Sequence, residues 1–401
     1  MIKASGSPPF AALTALAVAF PAGAAFAHPE TEHFAQSAFL TAPEIVDCTL
    51  EDGSETQCHQ ITVGYLPEGL EIGPFCPATL EDAGGIWDWT GENAGLYRID
   101  GEFLQMLDGL GYRFFDDDGN VFSVDNATER PSVDHACINV SVDESVEITM
   151  LLPLHPVVAD TPTQLGTVGK VGVALDGVPI FSDAPEIQVT GHMPALDTCG
   201  GHVDPGGWYH WHATSTDVET VFDTEDVAAT CALPQSASAQ FGYAFDGFAM
   251  FGSREADGSA PEGLDQCNGH IGTLADGSTS YHYHASEDFP NLPPCLVGVQ
   301  AQGNFTTTAT AGVGAQRAGE DGRNEAPRPE GGGPDGGPDG GGPGGMPPEF
   351  TEAAETLGIT PQVLIEALGG PGQQPDFAAA AATLGVSEDR LRSLVPPPPN
   401  R

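Results

Sequence analysis

The middle of this chain is written twice. Gly172-Val173-Ala174-Leu175-Asp176-Gly177, closing on Phe181, is answered by Gly242-Tyr243-Ala244-Phe245-Asp246-Gly247, closing on Phe251. Leu196-Asp197-Thr198-Cys199-Gly200-Gly201-His202 is answered by Leu264-Asp265-Gln266-Cys267-Asn268-Gly269-His270. Tyr209-His210-Trp211-His212-Ala213 is answered by Tyr281-His282-Tyr283-His284-Ala285. Three matches in one order mark a duplicated unit, with one histidine-rich corner in each copy. The repeats run over about 170–231 and 240–295, inside a duplicated domain at 141–305.

The residue types around these words predict a mainly β body, a duplicated β-sandwich-like domain with one or two short helices and a small α-helical C-terminal tail. Runs such as Val146 to Leu152, Lys170 to Leu175 and Phe241 to Phe245 read as strands, and Asp118-Gly119, Asp176-Gly177 and Asp246-Gly247 read as turns between them. Gly101 to Gly111 reads as a helix, because Phe103, Met106, Leu107 and Leu110 fall on one face.

On a strand, side chains alternate between faces, so His210 and His212 project together while Tyr209 and Trp211 point the other way. His282 and His284 repeat this, with Tyr281 and Tyr283 behind them. The third histidine of each set, His202 or His270, is expected on a Gly-rich turn. Three imidazoles with a fourth position open suit copper or zinc. The spacing leaves open whether the sets form two sites or one shared cluster. Asp197 and Asp265 precede the anchor cysteines, and Asp176 and Asp246 occupy the matching turns. Each is a candidate to orient a histidine, to bind metal or to act as a base, and each has a plainer reading as a turn residue. The histidines also have a plainer reading, as hydrogen-bonded members of core strands.

The chain begins as an exported one does. Lys3, the apolar run from Phe10 to Phe20 and Ala25-Phe26-Ala27 make residues 1–27 a signal peptide and His28 the mature N-terminus. That terminus could chelate copper through its α-amine and imidazole; cleavage that happens to expose a histidine is the plainer account. A secreted or periplasmic location follows. The apolar run is too short to span a bilayer, so no membrane insertion is expected. Eight cysteines fit an oxidising compartment, and the duplication suggests pairs Cys199–Cys231 and Cys267–Cys295, with Cys48–Cys58 and Cys76–Cys137 for the rest. A pairing swapped between copies stays open. A formal charge of -45 with only Lys3 and Lys170 as lysines argues against nucleic acid and anionic membranes as partners.

Around the duplication we expect a flexible mature N-terminus at 28–43 and a disulfide-containing part of the body at 44–140. A disordered Gly/Pro/acidic linker at 306–348 leads to two short helical hairpins at 349–396. The hairpins are a second repeat, Phe350 to Thr360 against Phe377 to Ser387, and would either dock a protein partner or serve as a solubilising tail.

Tyr281-His282-Tyr283-His284, preceded by Leu264-Asp265-Gln266-Cys267-Asn268-Gly269-His270 and by Gly242 to Gly252, resembles the YHYH domain family of exported proteins. The resemblance covers roughly 140 to 300 and is strongest in the second copy; the first has Trp211 for the second tyrosine and Gly200 for the asparagine. It implies a domain type and no particular reaction. Three functions compete. The first is a metal-binding protein using His202, His210, His212, His270, His282 and His284. The second is a metal-dependent hydrolase or copper oxidase, with Asp265, Asp197 and Glu287 as candidate acids or bases. The third is an interaction module with structural histidines.

Overall fold

In the computed structural model, the described residues are 29–124, 133–213, 236–274, 277–286 and 291–315, together with Phe377 and Leu391. The expected signal peptide, His28, Cys231 and Glu287 lie outside them, as does the tail apart from Phe377 and Leu391, which are helical and buried.

The duplication becomes an eight-stranded sheet. From one edge to the other, its strands are Gly201–Val203, Tyr209–Trp211, Pro179–Phe181, Lys170–Ala174, Gln240–Ala244, Ala249–Phe251, Thr279–His284 and Gly269–Thr273. Each copy supplies four neighbouring strands, and the order in one is the reverse of that in the other. The copies meet at an antiparallel pair in which Val173 faces Tyr243, Gly172 faces Ala244 and Ala174 faces Gly242. Those partners exchange places under a two-fold rotation, so the centre of the sheet is a pseudo-two-fold axis. Glycine is required at both flanking positions. A Cβ on Gly172 would stand 2.1 Å from the Tyr243 carbonyl oxygen, and one on Gly242 would stand 2.4 Å from that of Val173.

Outward from the axis, both copies use the same steps. A tight Asp-Gly turn, with φ of 90° at both Gly177 and Gly247, returns the chain as an antiparallel neighbour. That strand then pairs in parallel with the His-x-His strand, Ile180 against Trp211 and Met250 against Tyr283. The edge strand closes each side antiparallel to it.

A second, four-stranded antiparallel sheet (Glu44–Thr49, Glu55–Gly64, Glu147–Pro153, Phe305–Thr307) shares its core with the first. Ile61, Val63, Ile148, Met150 and Leu152 from this sheet join Val171, Val173, Ile180, Tyr243, Met250 and Tyr283 from the eight-stranded one. Burial of this apolar surface is the main stabilising term. A smaller core gathers Trp87, Trp89, Phe114 and Met193 around the helix Gly101–Gly109, from which Phe103, Leu104 and Leu107 are buried. Asp100 caps that helix by accepting from the Glu102 and Phe103 amides.

Two boundaries differ from expectation. The N-terminal segment is packed rather than loose: Phe34 enters the main core, its ring 5.7 Å from that of Tyr243, and the Ala35 amide bonds the Leu175 carbonyl. One large aromatic side chain is enough to hold so short a segment down. The linker does not begin at 306, which lies within the strand Phe305–Thr307; Ala309 is in the core and Val313 packs on it. Disulfides join Cys48 to Cys58, Cys76 to Cys137 and Cys267 to Cys295. Cys199 is also disulfide-bonded. Among the described residues, no helix is long and apolar enough to cross a membrane.

Candidate metal centres

The axis sends the two histidine corners to opposite edges of the sheet, so they are separate. In each, the third histidine sits on the edge strand and not on the turn before it. His202 lies directly across from His210, and His270 across from His282. The glycine-rich turn still matters, because it reverses the chain one or two residues earlier. Gly200 and Asn268 both take the left-handed conformation, with φ of 82° and 59°. Glycine and asparagine are the residues that adopt it most readily, so this difference between the copies leaves the backbone unchanged.

At the first corner, the three Nε2 atoms form a nearly equilateral triangle. His202 to His210 is 3.1 Å, His202 to His212 is 3.1 Å and His210 to His212 is 3.0 Å. The opposite ring nitrogens are tied to backbone. His202 Nδ1 is 3.1 Å from the Pro194 carbonyl oxygen, and His212 Nδ1 bonds that of Ser182. A carbonyl oxygen only accepts, so these Nδ1 atoms carry the protons and the Nε2 atoms present bare lone pairs. His210 makes no such bond from Nδ1, although the Trp208 backbone lies near it. Burial, reinforced by the neighbouring imidazoles, holds His202 and His210 well below the ordinary histidine range, and burial brings His212 down to about 4. The rings are therefore neutral at pH 7; His202 and His212 turn Nε2 lone pairs inward, and His210, with nothing bonded to Nδ1, can carry its one proton on either nitrogen.

The second corner repeats the plan. His270, His282 and His284 direct Nδ1 at the carbonyls of Glu262, Ser280 and Gly252, at 2.9, 3.2 and 2.8 Å. His282 and His284 bring their Nε2 atoms to 3.1 Å, while His270 Nε2 is buried without a hydrogen-bond partner. One residue is added that the sequence did not reveal. Glu255 places Oε1 3.3 Å from His270 Nε2 and 3.9 Å from His284 Nε2. It lies in the loop after Ala249–Phe251, outside the repeated words, and Pro185 takes its place in the first copy. The ligand atoms of Glu255, His270, His282 and His284, and those of His202, His210 and His212, lie within 4.8 Å of one another, close enough to hold a metal ion.

The four aspartates belong to the other face of the His-x-His strands. Asp197 accepts from the Cys199 and Gly201 amides, from the Tyr209 hydroxyl and from the Gly73 amide. Asp265 accepts from the Cys267 and Gly269 amides and from the Tyr281 hydroxyl. Each closes its turn and also holds the tyrosine that alternates with the histidines, which fixes the strand from behind. Asp246 accepts from the Tyr283 hydroxyl and the Phe248 and Gly298 amides; Asp176 accepts from the Val178 amide alone. Burial pushes Asp176, Asp197 and Asp246 up to about 6. None of the four joins either ligand group. His33 bonds the Tyr243 hydroxyl and also lies outside both groups.

Fold and site together define a class: a disulfide-bonded, mainly β protein whose duplicated sheet carries one three-histidine corner at each edge. Residues 149–263 match the family described as YHYH protein. The match begins near the expected position but ends before the second histidine corner, so it takes in the first copy and only the opening strands of the second. No curated protein and no solved structure matches the chain.

Proposed function

We propose that this is an exported transition-metal-binding protein that holds copper or zinc at both histidine corners. The observation that carries this reading is the first corner's triangle of Nε2 atoms, 3.0–3.1 Å on a side, with neutral rings and the His202 and His212 lone pairs turned inward. At most one His210 proton could serve the two lone pairs that face it, whereas a bound cation engages all three nitrogens. His202, His210 and His212 would hold the ion through Nε2, and it would supply Lewis-acid chemistry there.

Binding is favoured over catalysis because the aspartates considered as bases are engaged in turn and tyrosine hydrogen bonds. A hydrolase or copper oxidase would need another group beside the ion, and Glu255 at the second corner is the one that would serve. Disulfides and the export signal read from the sequence support a secreted or periplasmic location. The sequence repeat at 349–396, expected as two helical hairpins, is proposed as a docking element for a protein partner.

Elemental analysis of the purified mature protein tests the central claim. We expect two equivalents of transition metal per chain after loading and dialysis, with one lost in His210→Ala/His212→Ala and the other in His282→Ala/His284→Ala. A wild-type protein that cannot be loaded, or metal retained when both pairs are replaced, would overturn it.

A further inference from the structure

The corners share a backbone plan but differ in charge. At the first, the described ligand atoms are three neutral imidazole nitrogens. At the second, the Glu255 carboxylate stands beside the same three nitrogens. The difference comes from matched loops. Ser182 and Gly252 follow the matched Phe181 and Phe251, and their carbonyls hold His212 and His284 in the same way. Three residues further on, the first loop has Pro185 and the second Glu255. The acidic residues nearest in sequence to the first corner do not substitute. Asp183 accepts from the Ala184 amide, Asp204 accepts from the Gly206 and Val313 amides, and neither they nor Glu186 joins the ligand group.

The cost of burying an ion grows with the square of its net charge. A divalent ion on three imidazoles leaves two positive charges in the buried first corner, whereas a univalent ion leaves one. A carboxylate in the coordination sphere lowers the divalent ion's net charge at the second corner to one. Carboxylate oxygen is also a harder donor than imidazole and favours divalent ions over Cu(I).

We propose that Glu255 is the fourth protein ligand of the second corner and makes it the divalent-cation site, while the all-imidazole first corner prefers univalent copper. This rests on the reading of both corners as metal sites and assigns each its class of ion.

The test uses the full mature chain with one corner intact at a time. His210→Ala/His212→Ala leaves the second corner and His282→Ala/His284→Ala the first. Each is titrated with Zn²⁺ and, anaerobically, with Cu⁺ against a competing chromogenic chelator. The second corner should bind Zn²⁺ at least about tenfold more tightly than the first, and the order should reverse for Cu⁺. Glu255→Gln, whose fold is checked by circular dichroism, should weaken Zn²⁺ at the second corner by at least about tenfold and Cu⁺ by less than about threefold; Glu255→Asp should restore part of the Zn²⁺ affinity. Equal Zn²⁺-to-Cu⁺ preference at the two corners, or an unchanged preference in Glu255→Gln, overturns the assignment and leaves both metal sites standing. Failure of both corners to bind either ion overturns the assignment and the proposed function together.

Discussion

Tyr283 donates its hydroxyl to the buried carboxylate of Asp246 at 2.5 Å, while at the matching place in the first copy Trp211 makes no such bond to Asp176. Asp176 keeps one carboxylate oxygen buried without a partner, and the Trp211 indole N–H is buried unpartnered as well. The substitution of tryptophan for tyrosine, visible in the sequence as a departure from the repeat, thus separates two aspartates that look alike on paper.

Asp246→Asn should therefore destabilise the protein by about 1–3 kcal/mol, because an amide NH₂ would face donors that now meet a carboxylate. Asp176→Asn should be close to neutral, since its unpartnered oxygen has no donor to lose. Urea unfolding of the two variants checks this. Equal losses would show that the hydrogen bonds of Asp246 add nothing beyond the turn itself.

Gly272 follows His270 by two positions on the second edge strand, where a Cβ would stand 2.8 Å from His282 Cε1 and 3.0 Å from His270 Nε2. Gly272→Ala should push these rings apart and weaken metal binding at the second corner by about tenfold or more, with the first corner unaffected. Site-resolved Zn²⁺ titration measures it. Unchanged affinity would mean the ion does not sit among these rings.

The Cys267–Cys295 disulfide closes a separation of 28 residues and anchors the turn that leads into His270. Replacing both cysteines with serine should cost about 3.5 kcal/mol by the chain-entropy argument and speed metal release from the second corner. Thermal unfolding and chelator-driven release report the two effects. Slower or unchanged release would separate the disulfide from the site.

Much of this arrangement was legible in the sequence because its period is local. Alternation on a strand put His210 with His212 and His282 with His284, and repetition announced two equivalent units. The Asp-Gly words also read correctly as turns, with a left-handed glycine in each. Glu255 was not legible. Its approach to His270 and His284 depends on Ala249–Phe251 pairing in parallel with Thr279–His284, a contact between strands that are not consecutive in the chain. No spacing within one segment encodes such a contact. Phe34 was missed for a related reason: its partner Tyr243 lies far along the chain, and a short polar segment gives no periodicity to announce that it docks. The same holds for Val313, which reaches Asp204 from what reads as the start of a Gly-rich linker.

The last prediction concerns acid. Burial holds His212 at about 4 and His202 and His210 well below their ordinary value. A histidine whose folded pKa is depressed contributes stability that is present above about 6.5 and is lost as the pH falls toward its folded value. Asp197 and Asp246, raised by burial to about 6, act in the opposite sense, since their contribution is lost as the pH rises from about 4 to about 6. The opposed terms leave the pH dependence of stability a weak probe, and metal affinity a sharp one. Three ordinary imidazoles would lose about tenfold each to proton competition between pH 7.5 and 5.5, about a thousandfold together. Rings that burial holds well below the ordinary histidine range lose far less over that interval. Zn²⁺ affinity at the first corner, measured in His282→Ala/His284→Ala and corrected for the chelator's own protonation, should therefore fall less than about tenfold. A thousandfold fall would mean that these histidines protonate as they do in water, and that the buried, neutral triangle does not exist in solution.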